Sequence, residues 1–294
     1  MSQQPLFDRA LVADRRRRAL STNKQEARFL LDLATQEISD RLSMVSREFD
    51  RALDLGGHTG ALSQALINSG KARQVIRADL FCADPNLPAP DLICDDALLP
   101  FASETLDLVA SPLSLHLLDD LPGALSQIRR ALRPDGLFLA AVLGADTLYE
   151  LRDCLTRAEA EVTGGLSPRI IPMADTRDLG SLLQRAGFAL PVVDTEKFTV
   201  RYDSAFALMK DLRAMGAANP LTARQRNFTR KEVFLRAAEL YATDYSDPDG
   251  RIRATFTFVC LSGWAPHESQ QQPLKPGTAK QSLADALKTF EKKT

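Results

Sequence analysis

The 294-residue chain has few of the residues that build metal or disulfide sites, and no excess charge of either sign. Its three histidines and four cysteines are dispersed, without a C-x-x-C pair or an H-E-x-x-H motif, which predicts free thiols and no bound metal. The 37 basic and 38 acidic side chains nearly cancel, which excludes the basic surface of a dedicated nucleic-acid-binding protein. No apolar run approaches the roughly 20 residues of a membrane-spanning helix, so we expect a soluble globular protein, with peripheral membrane contact left open.

The N-terminal region contains the one block of like charge, four arginines at residues 15–18. It lacks the apolar stretch of a secretory signal, and Asp8 and Asp14 interrupt the acid-poor pattern of a transit peptide. We therefore expect a surface helix with a solvated basic face and a location in the bacterial cytoplasm. The alternative is that the block docks an acidic partner.

Periodicity divides the chain into an N-terminal helical segment, residues 1–48, and a domain over residues 49–265. Apolar residues at helical spacing fill residues 24–46. Beyond them, short apolar runs typical of buried strands alternate with helical stretches, and residues 133–136 (Arg-Pro-Asp-Gly) predict a turn. The predicted strands are 52–55, 74–79, 91–94, 106–110 and 137–143, and the predicted helices are 61–67 and 121–132. This alternation predicts an α/β fold with a largely parallel sheet and a ligand beyond the carboxyl ends of its strands.

The second half of the sequence is less regular. It contains a predicted helix at 175–186, a conditional one at 146–162, and predicted strands at 191–200 and 253–263. Between the last two strands, residues 203–245 form a helical insertion that we expect to act as a lid over the ligand-binding edge. Residues 266–294 read as a C-terminal tail.

The main chemical signal lies at the predicted junction between the first strand and the next helix, Asp54-Leu55-Gly56-Gly57-His58-Thr59-Gly60. A dinucleotide-binding G-x-G-x-x-G pattern fails at positions 58 and 61, and a P-loop pattern fails because position 65 is not glycine. The S-adenosylmethionine pattern, acid-x-G-x-G-x-G, is met at three of four positions, with His58 as the exception. Backbone N–H groups at such a junction can hold a ligand.

Further acidic residues follow the next two strands. Asp79 ends the second strand, 19 residues after Gly60, where an acid can accept hydrogen bonds from both ribose hydroxyls, and Leu80 follows it. After the third strand, Asp95, Asp96 and Ala97 are candidates for the adenine site. Ser111, at the end of the fourth strand, is expected to form the floor beside the methionine end of the cofactor.

Together these segments resemble the class I S-adenosylmethionine-dependent methyltransferases. Further motifs are similar to those of one family within this superfamily, the mitochondrial complex I assembly factor 5 family (arginine hydroxylase) with its bacterial relatives. They are Leu-Phe-Asp-Arg at 6–9, Ala-Asp-Thr-Leu-Tyr-Glu-Leu-Arg at 145–152, Gly-Gly-Leu-Ser-Pro at 164–168, Leu-Met-Lys-Asp-Leu at 208–212 and Gly-Trp-Ala-Pro-His-Glu-Ser at 263–269. A more distant resemblance is to the biotin-pathway methyltransferase that acts on malonyl-acyl-carrier protein.

The resemblance implies a Rossmann-like, seven-stranded methyltransferase fold whose last strand is antiparallel, with a helical cap. It implies a methyltransferase-fold enzyme with S-adenosylmethionine as cofactor. The protein substrate would be a subunit of the NADH–quinone oxidoreductase, modified by methylation or by arginine hydroxylation. Two alternatives remain: an O-methyltransferase acting on malonyl-acyl-carrier protein or a small molecule, and an assembly chaperone without catalytic activity.

The residues nearest the chemistry are harder to identify. His58 replaces a glycine, and a positive φ there would cost about 1 kcal/mol; its side chain would either block the methionyl carboxylate or donate a hydrogen bond to it. His116, just past the fourth strand, is a candidate general base, and Tyr149 is a second catalytic candidate. The candidates for substrate binding are His116, Asp146, Tyr149 and Arg152. Of these, Tyr149 and Arg152 lie three residues apart and so share one face of the predicted helix.

Overall fold

The computed structural model describes residues 4–22, 25–81 and 89–270. Eight helices and seven strands lie in this part of the chain. The helices are α1 (Arg9–Ser21), α2 (Phe29–Ser43), α3 (Ala61–Asn68), α4 (Leu121–Ala131), α5 (Tyr149–Thr163), α6 (Thr176–Arg185), α7 (Ala205–Ala214) and α8 (Lys231–Asp244). The strands are β1 (Phe49–Leu55), β2 (Ala72–Asp79), β3 (Leu92–Ile93), β4 (Leu106–Pro112), β5 (Leu132–Leu143), β6 (Ala189–Tyr202) and β7 (Ile252–Trp264).

The strands form a single seven-stranded sheet in the order β3-β2-β1-β4-β5-β7-β6. The pairs from β3 through β5 are parallel, whereas β7 runs antiparallel to both β5 and β6. The predicted fold class is therefore confirmed: a largely parallel α/β sheet whose last strand in the sequence is antiparallel.

Helices cover both faces of the sheet, which explains why β4 and β7 are buried along nearly their whole length. In β7, Phe256 and Phe258 belong to the core under α2, α5 and α8, while Val259 and Leu261 belong to the core under α4 and α6. Alternate side chains of a strand point to opposite faces. Full burial of each such side chain contributes roughly 1.5–3 kcal/mol of transfer free energy.

Three predicted elements differ in detail from the structure. The helix predicted at 24–46 is a 3-10 turn, Gln25–Arg28, followed by α2. The turn predicted at 133–136 lies inside β5 as a bulge, where the pairing with β4 shifts register and Asp135 adopts a φ of 63°. The insertion predicted at 203–245 consists of two helices, α7 and α8, because residues 215–230 are not helical.

The expectation of a solvated basic face on the N-terminal helix holds for Arg17 and Arg18, which are exposed, but is wrong for Arg15 and Arg16. The Arg16 side chain is buried, with 6% of the residue exposed, and Arg15 donates to the carbonyl of Ala218 at 2.7 Å. A bridge between Phe7 and Leu221 further joins α1 to the cap insertion. The sequence alone does not reveal these contacts, because the carbonyl groups that accept from Arg16 and Arg15 lie about 100 and 200 residues away along the chain.

The insertion packs on α5 and α1, and α1 in turn covers the carboxyl ends of the central strands, where Arg16 bonds to the segment after β4. No helix in the described ranges is long and apolar enough to cross a membrane. The thiols of Cys94, Cys154 and Cys260 are free, whereas Cys82 and residues 271–294 of the predicted tail lie outside the described residues.

Candidate functional site

The candidate site is the crevice at the carboxyl ends of β1, β2 and β4. In the strand order, β2 and β4 lie on opposite sides of β1, so the chain direction across the sheet reverses there. Crevices at such reversal points bind ligands in open α/β sheets. The loop after β1, the end of β2 and the segment after β4 therefore meet at one place.

The glycine loop makes a tight turn between β1 and α3. Gly56 and Gly60 adopt φ values of 74° and 80°. A Cβ on Gly56 would lie 2.4 Å from the Cβ of Ser114, so the loop approaches the segment after β4 too closely for any side chain. His58 adopts a φ of 45°, which is strained by about 1 kcal/mol for a residue with a side chain. The exception in the predicted motif is therefore also a strained position.

Asp79 connects the end of β2 to this loop. Its carboxylate accepts hydrogen bonds from the backbone N–H of His58 at 2.8 Å and of Leu80 at 2.7 Å. The residue is only 4% exposed, and burial raises the pKa of Asp79 while the positive charge of Arg16 lowers it. Each carboxylate oxygen has a second lone pair, so Asp79 retains acceptor capacity toward a ligand hydroxyl.

Asp54 lies beneath the loop. Its Oδ2 accepts hydrogen bonds from the backbone N–H and the hydroxyl of Ser63, at 3.0 and 2.6 Å, which holds the first turn of α3. Oδ1 is buried without a partner. Burial raises the pKa of Asp54 to about 6, against the hydrogen bonds from Ser63, which lower it. Asp54 thus supports the glycine loop from below.

The acids after β3 are engaged by the N-terminal helix. Arg9 donates to Asp95 at 2.8 Å and also to Asp96, which in addition accepts from the hydroxyl of Ser114. The N–H of Ala97 donates to Asp95 at 2.9 Å. This network fastens α1 to the ends of β3 and β4.

Ser111, predicted as the floor of the site, braces two strands. Its hydroxyl donates to the carbonyl of Leu55 at 2.8 Å, and the residue is fully buried. This bond joins the end of β4 to the last residue of β1, directly before the glycine loop. Gly57 lies in that loop without a positive φ, and its Cα faces the side chain of Arg77.

His58 and His116 lie near each other and near Arg16. Burial lowers the pKa of His58 well below its usual value, and the charges of Arg16 and His116 lower it further. Burial, with the charge of Arg16, lowers the pKa of His116 to about 3. Nε2 of His58 and Nδ1 of His116 are buried without hydrogen-bond partners. Both imidazoles are therefore neutral at pH 7, and His116 is a weak base in this form of the protein.

The other substrate candidates follow the carboxyl end of β5, at the same edge of the sheet as the ends of β1 and β4, but the contacts recorded for their side chains are with other residues. Asp146 pairs with Lys197 at 2.9 Å, and the Tyr149 ring packs edge-to-face on Tyr245. Arg152 donates to the carbonyl of Ala145 at 2.8 Å, across the turn that precedes α5. Tyr149 and Arg152 therefore both make local contacts: the Tyr149 ring packs on Tyr245, and Arg152 binds a carbonyl of the turn directly before α5.

Sequence reasoning missed Arg9, Arg16 and Ser114 as residues of this crevice. The Leu-Phe-Asp-Arg motif at 6–9 contains Arg9, but its periodicity contains no information about a contact with residues 95 and 96. Ser114 lies between two residues that the prediction used, Ser111 and His116. Among the described residues, no group of three or more histidine, cysteine or acidic side chains is arranged to hold a metal ion.

Comparisons with known proteins agree with this geometry. A family model described as "Methyltransferase domain" matches residues 8–191. The chain is 38% identical over 287 residues to mitochondrial arginine-hydroxylase NDUFAF5 of Rattus norvegicus, covering 95% of this chain and 83% of the rat protein. It is 35% identical to the malonyl-[acyl-carrier protein] O-methyltransferase of Halorhodospira halophila, over 76% of this chain and 77% of that protein.

A solved structure from Bacillus halodurans, assigned as a methyltransferase, has a similar fold. The TM-score is 0.52 at 15% sequence identity, covering 78% of this chain and 97% of that chain. At this identity the likeness concerns the fold alone.

Proposed function

Because this chain belongs to the class I methyltransferase family, in the group that includes the NDUFAF5 arginine-hydroxylases and the malonyl-acyl-carrier-protein methyltransferases, we propose that its crevice binds S-adenosylmethionine. We further propose that it modifies a protein substrate in the assembly of respiratory complex I, in the bacterial cytoplasm. The single observation that carries the cofactor proposal is Asp79, a buried carboxylate fixed against the glycine loop at the reversal point of the sheet.

The residues of the crevice fit this cofactor. Asp79 has acceptor capacity for ribose hydroxyls, and the two buried imidazole nitrogens without partners are polar atoms to which a ligand can bind. Asp54 holds the loop from below, while Gly56 and Gly60 permit its tight turn. Leu80, Asp95, Asp96 and Ala97 extend the proposed site toward the adenine, where Arg9 now engages both carboxylates.

When bound, S-adenosylmethionine supplies an electrophilic methyl group on a sulfonium. The protein's contribution to such a displacement is chiefly orientation and exclusion of water. In this chain α1 covers the crevice, and Arg9 fastens it to Asp95 and Asp96. The weak basicity of His116 favours a role as a pocket residue that orients the ligand through Nδ1 over one as a proton acceptor.

The substrate proposal is supported by the relatives and by the sequence motifs. The rat protein named arginine-hydroxylase is 38% identical over 95% of this chain, so an arginine of a partner protein is the acceptor group we favour. Mass spectrometry of complex I subunits from a strain lacking this gene tests it. The proposal predicts one site that loses the mass of a methyl group or of an oxygen atom, and an unchanged set of subunits contradicts it.

A surface feature favours a second candidate, a malonyl-acyl-carrier-protein or small-molecule O-methyltransferase. Between α7 and α8 lies a groove of about 320 Å³ whose apolar lining includes Phe206 and Phe234. Its rim carries Lys210, Arg213 and Lys231, and in the described part of the chain none of these three forms a salt bridge. Such a rim suits an acidic carrier protein. Loss of growth without biotin on deletion of the gene, corrected by wild type and not by Lys210→Glu, would support this candidate.

Isothermal titration with S-adenosylhomocysteine tests the cofactor site itself. Asp79→Asn replaces one charged acceptor oxygen by an amide nitrogen, so we expect a loss of affinity of about 10- to 100-fold. Asp50→Asn is the matched control, because Asp50 lies on β1 at the opposite end of the strand and is exposed. Equal affinities of wild type and Asp79→Asn would contradict the assignment of the ribose site.

A further inference from the structure

The groove between α7 and α8 is lined by one face of each helix. On α7, Phe206, Met209 and Arg213 lie at positions i, i+3 and i+7. On α8, Phe234 and Leu235 line the opposite wall. Phe206 is 47% exposed and Leu235 is 43% exposed, so large apolar side chains of the groove are in contact with water. A cluster of this kind, rimmed by polar residues, is typical of an interaction site.

The charges around this groove are of one sign. Lys210, Arg213 and Lys231 line it, and no acidic side chain in the described part of the chain does. None of the three forms a salt bridge within the described ranges, whereas Arg236, outside the groove on α8, pairs with Glu161 at 2.6 Å. The groove therefore retains three positive charges that an acidic partner can match.

The shape of the groove favours a helix as the occupant. The stretch of α7 from Phe206 to Arg213 is about 10 Å long at about 1.5 Å per residue. An amphipathic helix laid between two helices inserts apolar anchors at i, i+3 or i+4, and i+7 over a similar length. A folded carrier protein matches the basic rim, but its apolar side chains lie mostly in its own core. The apolar lining is better matched by a helix that presents an apolar stripe.

Two other occupants fit less well. A second copy of this chain, bound through the same face, would place basic side chains against basic side chains, which opposes association. A lipid surface takes up the apolar face of a helix that lies in its plane. Here Met209 and Phe234 are partly buried against the core of the protein, inside the groove.

We propose that this groove docks an amphipathic helix with acidic flanks, presented by the protein substrate before it enters the respiratory complex. The inference rests on the proposed function, in which the substrate is a subunit of that complex. Interfaces within permanent complexes are more apolar than ordinary surface. An unassembled subunit therefore exposes apolar helix faces that assembly later covers, and the groove selects the subunit in that state.

The groove adjoins the helix that covers the crevice. Gly216 follows Arg213 by three residues, and a Cβ on Gly216 would lie 3.1 Å from the carbonyl oxygen of Arg15 on α1. Arg15 also donates to the carbonyl of Ala218 at 2.7 Å. A helix docked between α7 and α8 is thereby held beside α1, and the rest of the substrate is held near the crevice.

Fluorescence anisotropy with a labelled peptide tests the groove directly. The probe is a helical peptide of about 18 residues, made of leucine, alanine and glutamate, with leucines at i, i+4, i+7 and i+11. Its controls are a scrambled peptide of the same composition and a peptide with lysine in place of glutamate. We expect the acidic amphipathic peptide to bind at least about tenfold more tightly than either control.

Variants locate the binding. Lys210→Glu should weaken binding of the acidic peptide at least about fivefold, and Phe206→Ala about tenfold. Arg130→Glu, the same charge reversal at an exposed position of α4, is the matched control and should change it by less than about twofold. Unchanged urea midpoints verify that the variants are folded.

A second measurement follows the substrate in cells. A deletion strain is complemented with wild type, Lys210→Glu or Arg130→Glu, and the modified complex I subunit is measured by mass spectrometry. We expect Lys210→Glu alone to lower the modified fraction at least about fivefold, with binding of S-adenosylhomocysteine unchanged in all three proteins.

Equal binding of the three peptides, peptide binding insensitive to Lys210→Glu and Phe206→Ala, or an undiminished modification would overturn the docking site. Binding of acyl carrier protein or of anionic phospholipid vesicles through Lys210, without binding of the acidic peptide, would overturn it as well. Absence of the modification with wild type would instead refute the proposed function, and the peptide titration would still decide whether the groove binds an acidic helix.

Discussion

Asp54 gives the account a quantitative test, because it is a fully buried carboxyl whose ionisation the fold disfavours. Burial raises its pKa from an ordinary value near 3.8 to about 6. At a pH between these two pKa values, the carboxyl is therefore protonated in the folded state and ionised in the unfolded state. Stability accordingly falls as pH rises from about 4 to about 6 and stays lower above that range. A shift of about two units corresponds to roughly 3 kcal/mol in total.

Asp54→Asn removes this titration while it keeps an oxygen to accept from Ser63. The amide nitrogen that replaces Oδ1 has no acceptor, which costs about 1–3 kcal/mol independently of pH. The free energy of unfolding should therefore be measured in urea from pH 5 to 8 for both proteins. We expect wild type to lose roughly 1.4 kcal/mol relative to Asp54→Asn over that range.

Subtracting the free energy of unfolding of Asp54→Asn from that of wild type at each pH cancels the contributions of the other titrating groups. Asp50→Asn, on the exposed part of the same strand, should give a difference of less than about 0.5 kcal/mol across the range. A flat difference curve for Asp54→Asn, or one in which wild type gains stability with pH, would refute the interpretation of Asp54 as a buried, largely uncompensated carboxyl.

Further predictions concern the structural polar groups. Burial acts to raise the pKa of Glu159, but the hydrogen bond from Arg169 contributes to a net lowering of that pKa. The ionised carboxylate therefore stabilises the folded state above pH of about 4.3, and this stabilisation is lost as pH falls through the lower pKa of the folded state. Glu159→Gln should lower the free energy of unfolding in urea at pH 7 by about 3 kcal/mol, and an unchanged midpoint would contradict this. Burial raises the pKa of Cys154 to about 12 and of Cys260 to about 11, so neither thiol should react with Ellman's reagent at pH 8 until the protein is unfolded; rapid reaction of the native protein at either would count against it. Gly60→Ala should cost about 1–2 kcal/mol at its φ of 80°, measured by urea unfolding against Gly165→Ala, a glycine without a positive φ and with space for a Cβ; equal stability to wild type would rule out strain there.

The sheet could be predicted from sequence because its signals are local. Apolar runs such as 52–55 and 106–110 are too short for helices, and each is followed by a turn or a helix. The bulge at 133–136 escaped prediction because an Arg-Pro-Asp-Gly turn and a bulge within a strand share the same composition. Only the pairing of β5 with β4 and β7 distinguishes them.

The acids of the candidate site were predicted from their positions after the strands that follow the glycine loop. The order of the strands in the sheet brings these acids and the loop to the same edge. Their partners were not predictable. The contacts of Arg16 and Arg152 depend on tertiary packing, since one basic side chain is drawn into the crevice and the other folds back on its own turn. A charged side chain on a helix has the same local pattern in both cases. That His58 takes a positive φ could be anticipated from the glycine it replaces.

A crystal structure grown in saturating S-adenosylhomocysteine tests the central claim most directly. The account predicts density for the nucleoside in the crevice at the ends of β1, β2 and β4, with the ribose hydroxyls on Asp79. Absence of the nucleoside, with Arg16 and the imidazole of His58 filling that space, would contradict it.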